Sequence, residues 1–237
     1  MGQTRYGIVS VADTAQAQRE YDDVVAQYTN ADGTKIPDWI KAPNGKPTNL
    51  TERQWTHVRS GGFKAWFGNW EALSRGVILR NTPVVKMPTG SIPYASNRRS
   101  EIKKRLTDWA KRKNFGGFYD TEIGRVQLDF HSIKTTLGHP RWGEKKLRAI
   151  YTLEEGFKHA VYINSMPDLI HGNLINYYFA YRVDDNGTPS LIFCRAQEDA
   201  NKNKIYLHEF YTEAEIIKGG TVKPGAVYDA LTDNATF

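Results

Sequence analysis

Three observations predict an α+β fold, built as a twisted antiparallel sheet with helices packed on one side. Three stretches near the C-terminal end, 175–183, 190–195 and 204–210, alternate apolar and polar residues with the period of half-buried strands. Asp184-Asp185-Asn186-Gly187 separates the first two and is a clear hairpin signal. The main helical patterns come before these strands and do not alternate with them, which disfavours a parallel βαβ array. A mainly helical, Trp-rich N-terminal region precedes this part, and the chain divides into regions 1–92 and 93–237.

Taken in order, residues 12–28 form a polar helix candidate with Asp13 or Thr14 as its N-cap. Residues 30–49, rich in Gly, Pro, Asn and Lys, predict an irregular surface segment. Thr51-Glu52-Arg53-Gln54 comes close to a capping box and opens a second helix within 51–71. That stretch carries Trp55, Phe63, Trp66, Phe67 and Trp70; Trp66 and Trp70, four apart, are expected to share a helix face. Burial of large aromatics contributes about 1.5–3 kcal/mol each, so packing is a better account of the set than base stacking. Residues 75–93, with three prolines, read as a linker.

Residues 97–113 predict a helix with Ile102, Leu106, Trp109 and Ala110 on one face, broken by Gly116-Gly117. The first strand is expected at 121–130, where Ile123, Val126, Leu128 and Phe130 alternate around a bulge near Gly124. Short helices at 144–150 and 153–160, then 161–163 as a brief strand or the end of a helix, lead into the three strong strands. Thr212 and Glu215 have capping-box spacing for a terminal helix that Gly219-Gly220 would stop.

Composition narrows the function. The 237 residues are 40% apolar, enough for a packed core. No apolar run approaches membrane-spanning length, and residues 1–6 lack a signal-type apolar region, so no membrane partner is expected. Cys194 is the only cysteine, which excludes an intrachain disulfide and a cysteine zinc cluster and points to a reducing cytoplasm, that of the host or of a target cell. Residues 97–113 hold eight Lys/Arg against two Asp/Glu, a local net of +6 that equals the net charge of the whole chain. A single basic helix in an otherwise neutral protein suits a polyanionic partner.

Chemistry concentrates at 126–139, read as a strand emptying into a loop and helix start that carry His131, Ser132, Lys134, Thr135 and His139. The chain lacks HExxH, glycine-rich phosphate loops and a GxSxG nucleophile elbow, so neither a metal nor a cofactor is expected. The remaining set suits transesterification of RNA. That reaction needs a base for the 2′-hydroxyl proton, an acid for the leaving 5′-oxygen, and donors around the phosphorane. His131 and His139 are candidates for base and acid, Lys134 for phosphate, and the last strand adds His208 and Thr212. Arg98, Arg99, Lys103, Lys104, Thr135, Arg195 and Tyr211 are candidates for binding nucleic acid. His57, His159 and His171 read as background, and the capping box alone could account for Thr212.

The block 126–139, with Lys145-Lys-Leu-Arg-Ala-Ile150, Gly156-Phe-Lys-His-Ala-Val-Tyr-Ile163, Phe193-Cys-Arg195-Ala-Gln-Glu-Asp199 and Ile205-Tyr-Leu-His208-Glu-Phe-Tyr-Thr212, resembles domains of large polyvalent proteins from phages and mobile elements. Those domains are grouped with the barnase–EndoU–colicin–RelE-like nucleases. The resemblance covers roughly 95–220 and implies an α+β ribonuclease fold acting as a toxin or effector module. RNA, including tRNA, is then the implied substrate, and a cognate immunity protein the implied partner. Residues 49–71 are similar to a module that precedes nuclease-like or ADP-ribosyltransferase-like toxin domains. An ADP-ribosyltransferase-like activity, with Glu213-Ala214-Glu215 as a faint echo of a Glu-x-Glu motif, is one alternative. A non-catalytic nucleic-acid or partner-binding domain is the other.

Overall fold

The computed structural model describes residues 11–30, 32–36, 38–42, 46–67, 70–89, 99–138, 143–168, 174–199, 204–213 and 215. The N-terminal part begins with α1 (Val11–Ala26). The Thr51 box closes as expected: Gln54 N donates to Thr51 Oγ1 at 3.3 Å and Thr51 N donates to Gln54 Oε1 at 3.0 Å, opening α2 (Glu52–His57). The helix does not run on through 71. Ser60 Oγ accepts from Phe63 N at 3.2 Å and starts a separate α3 (Gly61–Phe67), followed by α4 (Trp70–Arg80). Trp66 and Trp70 therefore lie on different helices, and Trp66 and Phe67 are exposed. The aromatic nucleus that does pack is Tyr28, Trp39 and Trp55, with ring centroids 5.0–5.6 Å apart. Trp39 comes from the segment expected to be irregular, and Trp55 Nε1 donates to Lys41 O at 2.6 Å within it.

The expected linker at 75–93 is instead ordered structure as far as it is described. Helix α4 continues to Arg80 because Leu79, in the apolar run 76–79, is buried against the sheet. After Pro83, β1 (Val85–Lys86) joins the sheet, and Met87 N donates to Asp184 O at 2.9 Å. Segments on both sides of residue 92 thus share one sheet.

The other elements are α5 (Arg99–Lys113), β2 (Gly117–Thr121), β3 (Gly124–Leu128), α6 (Phe130–Gly138), α7 (Glu144–Ile150), α8 (Leu153–Phe157), β4 (Val161–Pro167), β5 (Ile175–Asp185), β6 (Thr188–Asp199) and β7 (Lys204–Thr212). The sheet order is β1-β5-β6-β7-β3-β2, with β4 also paired to β5. The α+β class holds. Most pairings are antiparallel, but β1 runs parallel to β5 and β3 parallel to β7, so the sheet is mixed. Parallel partners need a long connection, and between β3 and β7 that connection contains three helices and three strands.

The region expected to hold one strand with a bulge is a hairpin, β2–β3, and Gly124 (φ +113°) opens its second strand directly after the Glu122-Ile123 turn. Gly116 (φ +128°) precedes it, and a Cβ there would sit 2.5 Å from Leu128 O. The Asp184–Gly187 hairpin is as expected: Asn186 (φ 57°) and Gly187 (φ 83°) form a two-residue loop with both φ positive.

Helices α5 to α8 bury Leu106, Ile133, Ile150 and Phe157 against Val126, Phe179, Tyr181, Ile192 and Phe210 on one face. Helix α4 packs on the opposite face against Val161, Ile163, Ala180 and Phe193. Helices therefore flank both faces, not one, because the N-terminal part supplies the second layer. Within the larger core Tyr181 is fully buried, and its hydroxyl lies 2.9 Å from Thr152 Oγ1. A Cβ on Gly156 would come within 2.1 Å of the Tyr181 ring. Gly156→Ala should cost about 1–3 kcal/mol through overpacking, read as a lowered midpoint in urea unfolding; an unchanged midpoint would contradict this packing.

A buried ion network ties α4 to the sheet. Glu71 Oε1 meets Arg59 Nε and Arg75 Nη2, both at 3.0 Å, and Lys64 Nζ lies 3.1 Å from Glu71 Oε2. Arg75 also reaches Glu122 in the β2–β3 turn at 3.2 Å and Ile163 O in β4 at 2.6 Å. Burial pushes the Glu71 carboxyl up, but Arg75, Arg59 and Lys64 outweigh it and hold the group below its ordinary value. Burial of Glu122 wins over Arg75 and raises its carboxyl. The two acids share Arg75 yet shift in opposite directions: Arg59 and Lys64 pair directly with Glu71, whereas the Glu71 carboxylate itself adds to the push on Glu122.

Candidate active site on one sheet face

Strand pairing builds a row of side chains across the sheet. Phe118 is opposite Gln127, Gln127 opposite Tyr206, Tyr206 opposite Gln197, and Gln197 opposite Asn176. Directly paired residues project to the same face. That is the face on which α4 covers Ala180 and Phe193, but here the row is polar and aromatic. Lys204 and Arg125, each two positions from a row member, share the face by the same alternation. Lys204 Nζ donates to Gln127 Oε1 at 3.0 Å and lies 6.0 Å from the Tyr206 ring centroid.

The two histidines meet at Tyr206. Strand β3 follows β7 only through Val126 and Gln127, and then α6 begins. Asp129 caps that start, its Oδ1 accepting from His131 N at 2.7 Å. The buried Ser132 hydroxyl donates to Leu207 O, so the helix start takes over where strand pairing stops. This puts the exposed His131 ring 6.4 Å from the Tyr206 ring. On the other side, the β6–β7 register shifts between Arg195 and Ala196, leaving His208 as the extra residue of a bulge. Its ring lies 6.0 Å from that of Tyr206. The rings of His131 and His208, from two elements, thus both lie within 6.4 Å of one aromatic ring.

Tyr206 is held by a directed chain. Asp168 Oδ2 accepts from Asn176 Nδ2 at 3.1 Å and from Gln197 Nε2 at 3.2 Å. A carboxylate only accepts, so the Gln197 amide nitrogen must face it and leave Oε1 toward Tyr206, whose hydroxyl donates at 3.1 Å. Asp168, Asn176 and Gln197 are all buried, which makes the chain a rigid support for the ring.

The other expected site residues are spread out. Lys134 and Thr135 follow His131 by three and four positions and share its helix face, with Lys134 exposed. They lie on α6, the helix start expected here, which begins directly after Asp129. His139 and Arg98 lie outside the described residues, as does the Arg99 side chain at the start of α5. Lys103 and Lys104 are exposed on α5, which packs against α6. Arg195 and Tyr211 are engaged by one buried acid: Arg195 Nη2 lies 3.3 Å from Glu209 Oε2, and the Tyr211 hydroxyl donates to that oxygen at 2.6 Å. Burial, then Glu209, pushes the Tyr211 phenol up. Thr212 is buried and donates through N and Oγ1 to Glu215 Oε2 at 2.8 and 2.9 Å, and the first of these bonds is one half of the expected capping box. Glu215 also pairs with Lys146 at 2.8 Å, and Glu213 accepts from the Ser190 hydroxyl at 2.9 Å. Cys194 is fully buried, and burial raises its thiol, consistent with a small core residue.

Tyr206, Gln197, Asp168, Gln127 and Lys204 are additions to the expected set. The alternation of Lys204, Tyr206 and His208 along 204–210 was the available signal for two of them. Among the described residues, no three of His, Cys, Asp or Glu gather to hold a metal ion, and no helix is long and apolar enough to cross a membrane. Comparison with protein-family models, curated proteins and solved structures finds no match to this chain.

Proposed function

We propose that the row centred on Tyr206 is the active site of a metal-independent endoribonuclease, acting as the effector module of a larger protein. One observation carries this reading: two imidazoles from separate elements converge on one supported ring, with the Lys204 ammonium beside it. One imidazole takes the proton of the 2′-hydroxyl as its oxygen attacks phosphorus. The other gives a proton to the departing 5′-oxygen, leaving a 2′,3′-cyclic phosphate. Lys204, with Lys134 on the exposed face of α6, supplies positive charge for the phosphorane. The exposed lysines of α5 add sequence-independent affinity for the backbone.

The shape of the site agrees with a polymer substrate. A groove of about 490 Å³ between α1, α2 and α3 contains Tyr21, Arg53, His57 and Phe63 but no residue of the row. The row itself lies across strands, where a chain can be laid down. Glu213 and Glu215 each have a structural partner, so nothing favours the ADP-ribosyltransferase alternative over this one.

The test is incubation of the purified protein with total RNA in EDTA, followed by mapping of the new ends. Fragments ending in 2′,3′-cyclic phosphate are expected. Intact RNA after incubation with folded protein would overturn the reading, and salt-sensitive binding without cleavage would replace it with a binding domain.

A further inference from the structure

Phe118 stands out on the same face. It is 59% exposed, and among the described residues it is the only exposed large hydrophobic side chain after Val84. It belongs to the row that contains Tyr206, two strand spacings away, or about 10 Å. The Arg125 guanidinium lies 4.7 Å from its ring centroid. Arg125 is itself well exposed, and its nearest acid, Asp120, is 4.0 Å away and 95% exposed, which leaves the cation largely to solvent.

A ring and a guanidinium held in solvent at the end of a polar row have little role in packing. The large core lies on the other face, where Tyr119, the next residue, turns inward to meet the Phe157 ring at 5.5 Å. We propose that Phe118 and Arg125 form a base-stacking subsite for single-stranded RNA, placed to hold a nucleotide adjacent to the one over Tyr206. This rests on the ribonuclease reading and deepens it by naming the form of the substrate. A base stacks on the ring while Arg125 meets a neighbouring phosphate or stacks on the same base. Between the two rings, Gln127 and Lys204 offer an amide and an ammonium to the connecting backbone. Every base has a π face, so such a subsite tolerates any sequence but requires an unpaired strand. In a duplex the bases are stacked on one another and cannot reach the ring.

The experiment is fluorescence anisotropy with a labelled 2′-O-methyl single-stranded oligonucleotide, which cannot be cleaved, on wild type, Phe118→Ala, Phe118→Tyr and Arg125→Ala. Phe118→Ala should weaken binding about 10-fold with an unchanged salt dependence, and Phe118→Tyr should restore it. Arg125→Ala should lower the slope of log affinity against log salt by about one phosphate contact. A duplex of the same sequence should bind Phe118→Ala and wild type alike. If wild type cleaves RNA but Phe118→Ala binds the strand within twofold of wild type, the subsite is wrong and the nuclease reading stands. If wild type neither binds nor cleaves, both fall.

Discussion

His131→Ala and His208→Ala should each lower RNA cleavage by about 10²- to 10⁴-fold, the range that a positioned acid or base contributes. The two residues both approach the Tyr206 ring and belong to separate elements, so the losses test a shared site and not a local disturbance. The double variant should fall little below the weaker single variant, because removing either half of a concerted pair disables the other. His131 is exposed, so its variant should unfold at the wild-type denaturant concentration. His208 lies in a bulge beside β6, and a His208→Gln variant guards against loss of fold. Both variants should still bind the uncleavable oligonucleotide within a few-fold of wild type. His57→Ala, at the exposed end of α2, should change nothing. Full cleavage by either site variant would remove that imidazole from the mechanism.

Arg75→Met should destabilise the protein by about 3–5 kcal/mol, since it leaves two buried carboxylates facing a missing cation. The side chains of Arg75, Glu71 and Glu122 are each 6% exposed, and Arg75 also supplies the donor to Ile163 O. The loss should depend on pH with a definite sign. Glu71 is held below its ordinary value in the folded protein, so its contribution is present above that value and fades as pH falls through the lowered one. Without Arg75 both carboxyls rise, and each takes up a proton more readily in the folded state. The difference between variant and wild type should therefore be largest near pH 7 and shrink toward pH 4. Urea unfolding at the two pH values reads this directly. An equal difference at both would mean that Arg75 acts through packing alone.

The centres of β5, β6 and β7 and the Asn-Gly turn were legible, because period and turn chemistry are local properties, but the ends of the strands and the bulge at His208 were not. Helix α5 was legible for the same reason, with Ile102, Leu106 and Ala110 buried as its spacing implies. The errors have physical causes of their own. Ser60 is an unremarkable residue until its hydroxyl caps α3 and divides a helix that periodicity would have continued. The parallel partners of β1 and β3 lie far along the chain, and no local pattern encodes which distant edge a strand will meet. Three prolines within 75–93 suggest a linker, whereas Pro83 only separates α4 from a two-residue strand. In the candidate site, the residue types were visible at 131 and 208, but their meeting was not. It depends on Tyr206, and a tyrosine in an alternating strand looks like any other. Asp168 and Gln197 were invisible for a similar reason: a buried carboxylate and amide gain meaning only when a neighbouring hydroxyl needs orienting.

The hydrogen bond from Ser132 to Leu207 joins positions 75 residues apart, and Leu207 belongs to the last strand of the sheet. During synthesis the chain therefore emerges with β3 and α6 complete long before their partner strand exists. The Tyr206 ring that both imidazoles approach arrives only with β7. A nascent chain stopped before residue 204 has half the constellation and no Tyr206. The order of translation thus leaves the Tyr206 row unassembled until almost all of the described chain has been made.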